Sequence, residues 1–283
     1  MKRMFPMILL FALLLCVPVR ADELTLDAPS ALLMEKQTGT VLFAKDEHTP
    51  REPASVTKVM TLLLTMDAID SGALSYDDTV TGSAHAASMG GSQIWLKEGE
   101  QMRVEDLIKA VCVVSGNDAA VALGEHLAGS EEAFVAMMNE KAAALGLTNT
   151  HFMNTSGLHD ENHYSTVREI ALILQAALEN ETCAEILSAE NYRASETEQH
   201  PDGLAMTNKF LYRVHHEYAL NGAEITAAKT GYTTEAMNCC ASAGKTPDGR
   251  SVICVTANAW TGDFCIEDHI ALYTKYCGST EAE

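Results

Sequence analysis

The sequence predicts an α+β fold, an antiparallel β-sheet flanked by helices with a helical subdomain inserted in the middle of the chain. Strand signals lie near both ends, the stretch between them is helix-rich, and the late strands are joined by turn chemistry that makes neighbours antiparallel.

Residues 30–34 and 41–44 are short apolar runs separated by Gln37-Thr38-Gly39, the pattern of a hairpin. Residues 56–69 are apolar nearly all round, with Val59, Met60, Leu62, Leu63, Leu64 and Met66, which marks a buried helix with Ser55 at its N-terminus. Helical patterns follow at 104–114, at 118–127 closed by Gly129, at 131–145 closed by Gly146, and at 167–178. Ser130 is the N-cap of the third of these four, with Glu131 and Glu132 in its first turn. The helical subdomain is expected at about residues 71–165, within a single catalytic domain spanning 22–283. Strand patterns return at 225–232, 237–243 and 251–257, the last two joined across Thr246-Pro247-Asp248-Gly249, and residues 264–277 read as a closing helix.

At 283 residues with 47% apolar content, the chain has ample material for a core. Its 19 Lys+Arg against 39 Asp+Glu give a net charge of −20, and so acidic a surface argues against binding a phosphate backbone, so no nucleic-acid partner is expected. Lys2 and Arg3, the apolar run at 4–17 and Val19-Arg20-Ala21 read as an export signal over residues 1–21, with the mature chain starting near Asp22 on the extracytoplasmic side. The apolar run is too short for a bilayer span, and Leu15 before Cys16 speaks against a lipoprotein signal.

Seven cysteines remain after the signal, an odd set without regular spacing, so a disulfide framework is not expected. Adjacent Cys239 and Cys240 would face opposite sides of a sheet, and one of them could meet Cys254 on a neighbouring strand in a single bridge. His159 and His163 have metal-like spacing but sit in a polar loop without a third ligand, so no metal is expected.

Three patterns occur in order: Ser55-Val56-Thr57-Lys58, Ser115-Gly116-Asn117 and Lys229-Thr230-Gly231. Ser55 and Lys58, one helical turn apart, lie within hydrogen-bond reach on one face. A lysine in so apolar a helix is placed there to be paired or to work. To accept a proton near neutral pH it must give up roughly 4 kcal/mol of preference for the charged form, which burial and a second lysine, Lys229, can supply. Ser115-Gly116-Asn117 sits on an interhelix turn. Simple turn chemistry explains it as a bland alternative, while the functional reading is a hydroxyl that relays a proton and an amide that holds substrate backbone. Lys229-Thr230-Gly231 follows the strand segment 225–228. A solubilising edge lysine is the bland alternative. The functional one is positive potential from Lys229, a hydroxyl from Thr230 for a carboxylate, and at Gly231 no side chain, so that a ligand can lie along the strand.

Taken together, these motifs resemble those of the penicillin-recognising serine acyltransferases, specifically the low-molecular-mass penicillin-binding proteins that act as D-alanyl-D-alanine carboxypeptidases. Ser88-Met89-Gly90-Gly91-Ser92, residues 115–125, residues 154–158, His163-Tyr164-Ser165-Thr166 and Thr207-Asn208-Lys209 extend the resemblance over roughly residues 28–277. It implies a β-lactamase/transpeptidase-like fold and a peptidoglycan stem peptide ending in D-Ala-D-Ala as substrate, with β-lactam antibiotics as covalent inhibitors and no cofactor. It further implies Ser55 as nucleophile, Lys58 as general base and Ser115 as proton donor to the leaving D-alanine. Asn117 would hold the peptide, Lys229, Thr230 and Gly231 would bind at the carboxylate end, and the backbone N–H groups of Ser55 and Tyr232 would form the oxyanion hole. Members commonly continue into a small β-rich domain and an amphipathic anchor, whereas this sequence stops soon after Cys277, which leaves membrane association open. A serine β-lactamase is the nearest alternative, weakened by Gly116 where class A enzymes carry Asp and by the lack of a Glu-x-x-Leu-Asn pentapeptide. A silent wall-binding or β-lactam-sensing domain is the other.

Overall fold

The computed structural model describes residues 24–279, so the export signal expected at 1–21 lies outside the described residues. β1 (Ser30–Glu35) and β2 (Val41–Lys45) pair antiparallel, as the hairpin pattern predicts. A 3-10 turn, Ala54–Thr57, then leads into α1 (Lys58–Asp70), so the predicted helix starts tighter than a regular α-turn and carries Ser55 within its first turn. Proline at position 53 and a positive φ of 46° at Ala54 set that geometry.

Next come β3 (Thr79–Thr81), α2 (Ala84–Ala87), β4 (Gln101–Arg103), α3 (Val104–Val113), α4 (Asn117–Ala128), α5 (Glu131–Ala144), α6 (Val167–Ala177) and α7 (Glu181–Leu187). The caps follow the residues available: Ser130 Oγ accepts from Ala133 N–H at the start of α5, and α4 stops at Gly129 in the left-handed region, φ 87°. A hairpin of β5 (Asn191–Ala194) and β6 (Leu204–Thr207) precedes α8 (Lys209–Glu217), which is capped by the Asn208 side chain. Along with α2, α7 and the short β3–β4 pair, these are the elements the sequence reading leaves unassigned. Most are too short to show a period, whereas α8 carries Phe210, Leu211 and Val214 at helical spacing behind the Asn208 cap, a signal the sequence reading passes over. β7 (Glu224–Thr233), β8 (Met237–Lys245), β9 (Ser251–Ala259) and α9 (Gly262–Cys277) complete the described chain.

The five-stranded sheet has the order β2-β1-β9-β8-β7 and is antiparallel throughout, which leaves β7 as an edge strand. Alternation along β1 sends Leu32 and Met34 into a core shared with α1, α3, α4 and α6, and Ala31 and Leu33 into a second core shared with α8 and α9. The sheet is therefore a middle layer. A leucine buried at these positions contributes roughly 2 kcal/mol. Inside the second core, His269 bridges Ser242 Oγ (2.8 Å) and Thr256 Oγ1 (3.0 Å), and burial lowers its pKa to about 3, so it stays neutral.

All seven cysteines in the described residues are buried free thiols. Cys239 and Cys240 do face opposite cores. The considered bridge to Cys254 does not form, because the β8–β9 register sets Cys240 against Thr256 and Cys254 against Ser242. Thiol titration should therefore find these seven slow to react in the native protein and all reactive in denaturant without reductant; a shortfall of two would reveal a disulfide.

Candidate active site

A cleft of about 800 Å³ opens at the edge of β7, and Ser55, Ser115, Lys229, Thr230, Gly231 and Tyr232 all line it. The three motifs thus arrive from three structural origins: the 3-10 turn before α1, the turn between α3 and α4, and the edge strand. Lys58 and Asn117 lie beneath the cleft surface, wholly buried and 2% exposed respectively.

Lys58 opens α1 with its Nζ donating to Ser55 Oγ (2.9 Å), Asn117 Oδ1 (2.6 Å) and the Ser156 carbonyl (2.8 Å). Two of these partners are obligate acceptors, and a neutral amine has two hydrogens. When Lys58 is unprotonated, Asn117 and Ser156 take both hydrogens and the lone pair is left facing the Ser55 hydroxyl. Burial first, then repulsion from Lys229, holds Lys58 well below the ordinary lysine range, against a smaller opposing pull from Asp118. The geometry and the electrostatics both favour a base at Nζ.

Asn117, expected to hold the substrate peptide, makes one bond at each end of its amide: Oδ1 accepts from Lys58, and Nδ2 donates to the Gly90 carbonyl at 2.7 Å, which leaves one N–H and one lone pair for a further partner. Its reach is toward the base and the 88–92 segment. Ser115 takes a positive φ of 62°, which turns its hydroxyl out of the α3–α4 turn toward the cleft. There Ser115 Oγ accepts from Lys229 Nζ at 2.9 Å, so its own hydrogen is free for another acceptor.

Lys229 sits within β7, not at a strand end, because pairing with β8 continues to Thr233. At 2% exposure it is no solubilising edge lysine. Its Nζ also donates to the Thr230 carbonyl (2.7 Å), and burial lowers its pKa to about 8. Burial thus pushes both lysines toward the neutral form, and at Lys58 repulsion from Lys229 adds to it.

Gly231 lines the cleft and has a further purpose that the sequence does not display. A Cβ there would lie 2.5 Å from the Ser55 backbone nitrogen and 2.9 Å from that of Val56. The missing side chain lets the edge strand close on the serine turn, which brings the backbones of β7 and Ser55 together where an oxyanion would sit.

Sequence reasoning missed the supports. His163 accepts from Met153 N–H at Nδ1 (3.2 Å), which leaves Nε2 to donate to Thr57 Oγ1 (2.8 Å). Burial lowers its pKa to about 4, so it is a neutral strut. Glu131 accepts at Oε1 from Thr155 N–H (2.9 Å) and Thr155 Oγ1 (2.8 Å), and pairs at Oε2 with His85 (2.7 Å). It ties α2 to the loop whose Ser156 carbonyl holds Lys58. In the sequence, Glu131 is indistinguishable from an ordinary first-turn acid, because its partners lie 24 and 46 residues away. His163 carried one signal, a histidine among the residues of the noted resemblance. No group of three or more metal-ligating side chains occurs among the described residues.

A family model described as D-alanyl-D-alanine carboxypeptidase (Peptidase_S11) matches residues 18–261. The D-alanyl-D-alanine carboxypeptidase DacF of Bacillus subtilis is 40% identical over 237 residues, which cover 83% of this chain and 59% of that protein. The crystal structure of the D-alanyl-D-alanine carboxypeptidase DacD from Francisella tularensis aligns with a TM-score of 0.80 at 28% identity, covering 91% of this chain and 72% of that one. A mutant of the Streptomyces K15 DD-transpeptidase aligns at 0.79 with 27% identity, over 89% of this chain and 99% of that one. The architecture is accordingly of the β-lactamase/transpeptidase type. The chain spans about half the length of the first curated relatives it matches.

Proposed function

The chain belongs to the D-alanyl-D-alanine carboxypeptidase family, and from that membership we propose that it is a serine D-Ala-D-Ala carboxypeptidase. It removes the terminal D-alanine from peptidoglycan stem pentapeptides through an acyl-enzyme, and β-lactams trap the same serine. The observation that carries this reading is the pair of 2.9 Å contacts in one cleft, Lys58 Nζ to Ser55 Oγ and Lys229 Nζ to Ser115 Oγ.

Ser55 Oγ attacks the carbonyl between the two D-alanines while Lys58 takes its proton. Backbone N–H groups of Ser55 and Tyr232 receive the oxyanion, worth about 3 kcal/mol per donor in comparable sites. The C–N bond then breaks, and Ser115 gives a proton to the departing amine, so Lys58 and Ser115 hand one proton on without net change. Lys229 and Thr230 attract the terminal carboxylate, and Asn117 positions the base. Water cleaves the ester and frees Ser55. Such a substrate lies outside the cytoplasm. Export by the signal at residues 1–21 and a single catalytic domain over 22–283, with its helical part at about 71–165, belong to the same proposal.

Two measurements on purified protein test it. D-alanine should be released from a peptide ending in D-Ala-D-Ala, and Ser55→Ala should abolish release. Intact-mass spectrometry after penicillin treatment should show a persistent adduct on Ser55. No release, with rapid penicillin turnover instead, would overturn the proposal in favour of a β-lactamase.

A further inference from the structure

Lys209, Arg213, Lys229 and Asp263 give the cleft wall charge, yet two of its lining side chains are large, aromatic and open to water. Trp95 is 64% exposed and Tyr232 65%. Trp95 also has φ 59°, a conformation that bulky residues rarely adopt outside functional sites. The strain is imposed from both sides. Ile94 and Leu96 are buried in the core, and their backbone N–H groups donate to the carboxylate of Asp118, at 3.0 Å to Oδ2 in each case. Asp118 is itself buried and follows Asn117, the residue that holds Lys58. With its neighbours anchored inward, the indole has nowhere to go but into the cleft, and the anchor is shared with the catalytic turn.

We infer that Trp95, with Tyr232, forms an aromatic seat for the long methylene side chain of the residue that precedes D-Ala-D-Ala in the substrate. The inference rests on the carboxypeptidase reading and extends it to substrate choice. Strand geometry places the seat. A peptide lying along β7 with its carboxylate at Lys229 and Thr230 has its scissile carbonyl beside Gly231, which touches the Ser55 turn. The acyl portion then continues past Tyr232, one strand residue of about 3.3 Å further on. D-alanine offers only a methyl group there. The preceding residue is the first that can fill an aromatic seat, and a chain of methylenes lying on an indole face buries apolar surface without needing a charge partner.

The test compares two acetylated tripeptides ending in D-Ala-D-Ala, one beginning with Nε-acetyl-lysine and one with alanine. In Trp95→Ala, kcat/KM for the lysine peptide should fall about tenfold, while the alanine peptide changes less than about twofold, since one good aromatic contact is worth about that factor. Acylation of Ser55 by 6-aminopenicillanic acid, a β-lactam with no acyl side chain to rest on the seat, should proceed at the wild-type rate, which shows that the variant is folded and its nucleophile works. A second readout does not depend on turnover. Trp95 and Trp260 are the only tryptophans in the chain, and Trp260 does not line the cleft. In Ser55→Ala carrying Trp260→Phe, tryptophan emission should shift to the blue on adding the lysine peptide and stay put with the alanine peptide. Equal slowing of both peptides by Trp95→Ala, slowing of neither, or an emission unchanged by the lysine peptide would overturn the inference. If the wild type took up penicillin but released no D-alanine from either peptide, the carboxypeptidase reading would fail while the emission shift still decided the role of Trp95.

Discussion

Replacing Lys58 by methionine should leave a folded protein whose Ser55 is acylated by penicillin about a thousandfold more slowly, the scale expected when a positioned base is lost. Methionine matches the stem of the lysine and brings no charge into a wholly buried site, but it leaves Asn117 Oδ1 and the Ser156 carbonyl without their donor, so stability should fall by about 1–3 kcal/mol while reactivity collapses. Stopped-flow measurement of acylation beside a denaturant melt checks both halves. Variants that lose penicillin uptake only because they unfold would defeat the claim. The pH dependence of the wild type carries the same logic with a definite sign. Acylation should rise with pH as Lys58 gives up its proton, well below the ordinary lysine value of 10.5, and capture of a carboxylate should weaken near pH 8 as Lys229 loses its charge. Stability has its own trend. Both lysines hold protons less tightly folded than unfolded, so the unfolded chain binds more protons in the window between the two values. Stability should therefore climb with pH across it, for Lys229 from about 8 to 10.5. Lys58→Met should flatten the part of this slope that belongs to Lys58.

Gly231→Ala is expected to cost acylation about a hundredfold, the lower end of what loss of one oxyanion donor costs. The added methyl would sit 2.5 Å from the Ser55 nitrogen, and its other close neighbours are the Val56 nitrogen and the Ala54 side chain, so either the serine turn or the edge strand must retreat. Overpacking of this kind typically costs 1–3 kcal/mol, here at a strand edge that can yield. The loss should consequently appear mainly in the acylation rate, with a modest shift in the melt. Near-normal acylation in Gly231→Ala would mean that contact between β7 and the turn is not what shapes the oxyanion position.

Much of this arrangement was legible before any coordinates. The all-round apolar helix named its own anomaly, Lys58, and the Thr246-Pro247-Asp248-Gly249 turn set β8 against β9. Hydrophobic runs and turn residues are local signals, and local signals survive in a one-dimensional string. What escaped was of two kinds. Residues 181–207 fold into short elements whose stability comes from what they pack on, so α7 and the β5–β6 hairpin leave little pattern, while α8 has a cap at Asn208 and an apolar face of Phe210, Leu211 and Val214 that the sequence reading passes over. The second kind was the purpose of individual contacts. Gly231 also turns its bare face to the Ser55 turn, a neighbour that lies far away in the chain. Asn117 holds Lys58 and Gly90, partners 59 and 27 residues away that a string of residues does not display. Register decided the cysteines in the same way, since the offset between Cys240 and Cys254 exists only once β8 and β9 are paired. In each case the residue was noticed and its neighbour could not be.

The bonds that assemble the cleft span long stretches of chain: Lys58 to Asn117 across 59 residues, Lys58 to Ser156 across 98, and Lys229 to Ser115 across 114. No fragment short of nearly the whole sheet and its helices can hold all of these groups at once. Uptake of penicillin is therefore a gauge of complete folding as much as of chemistry. During renaturation it should return in step with the last tertiary signal to recover, however early helical content reappears.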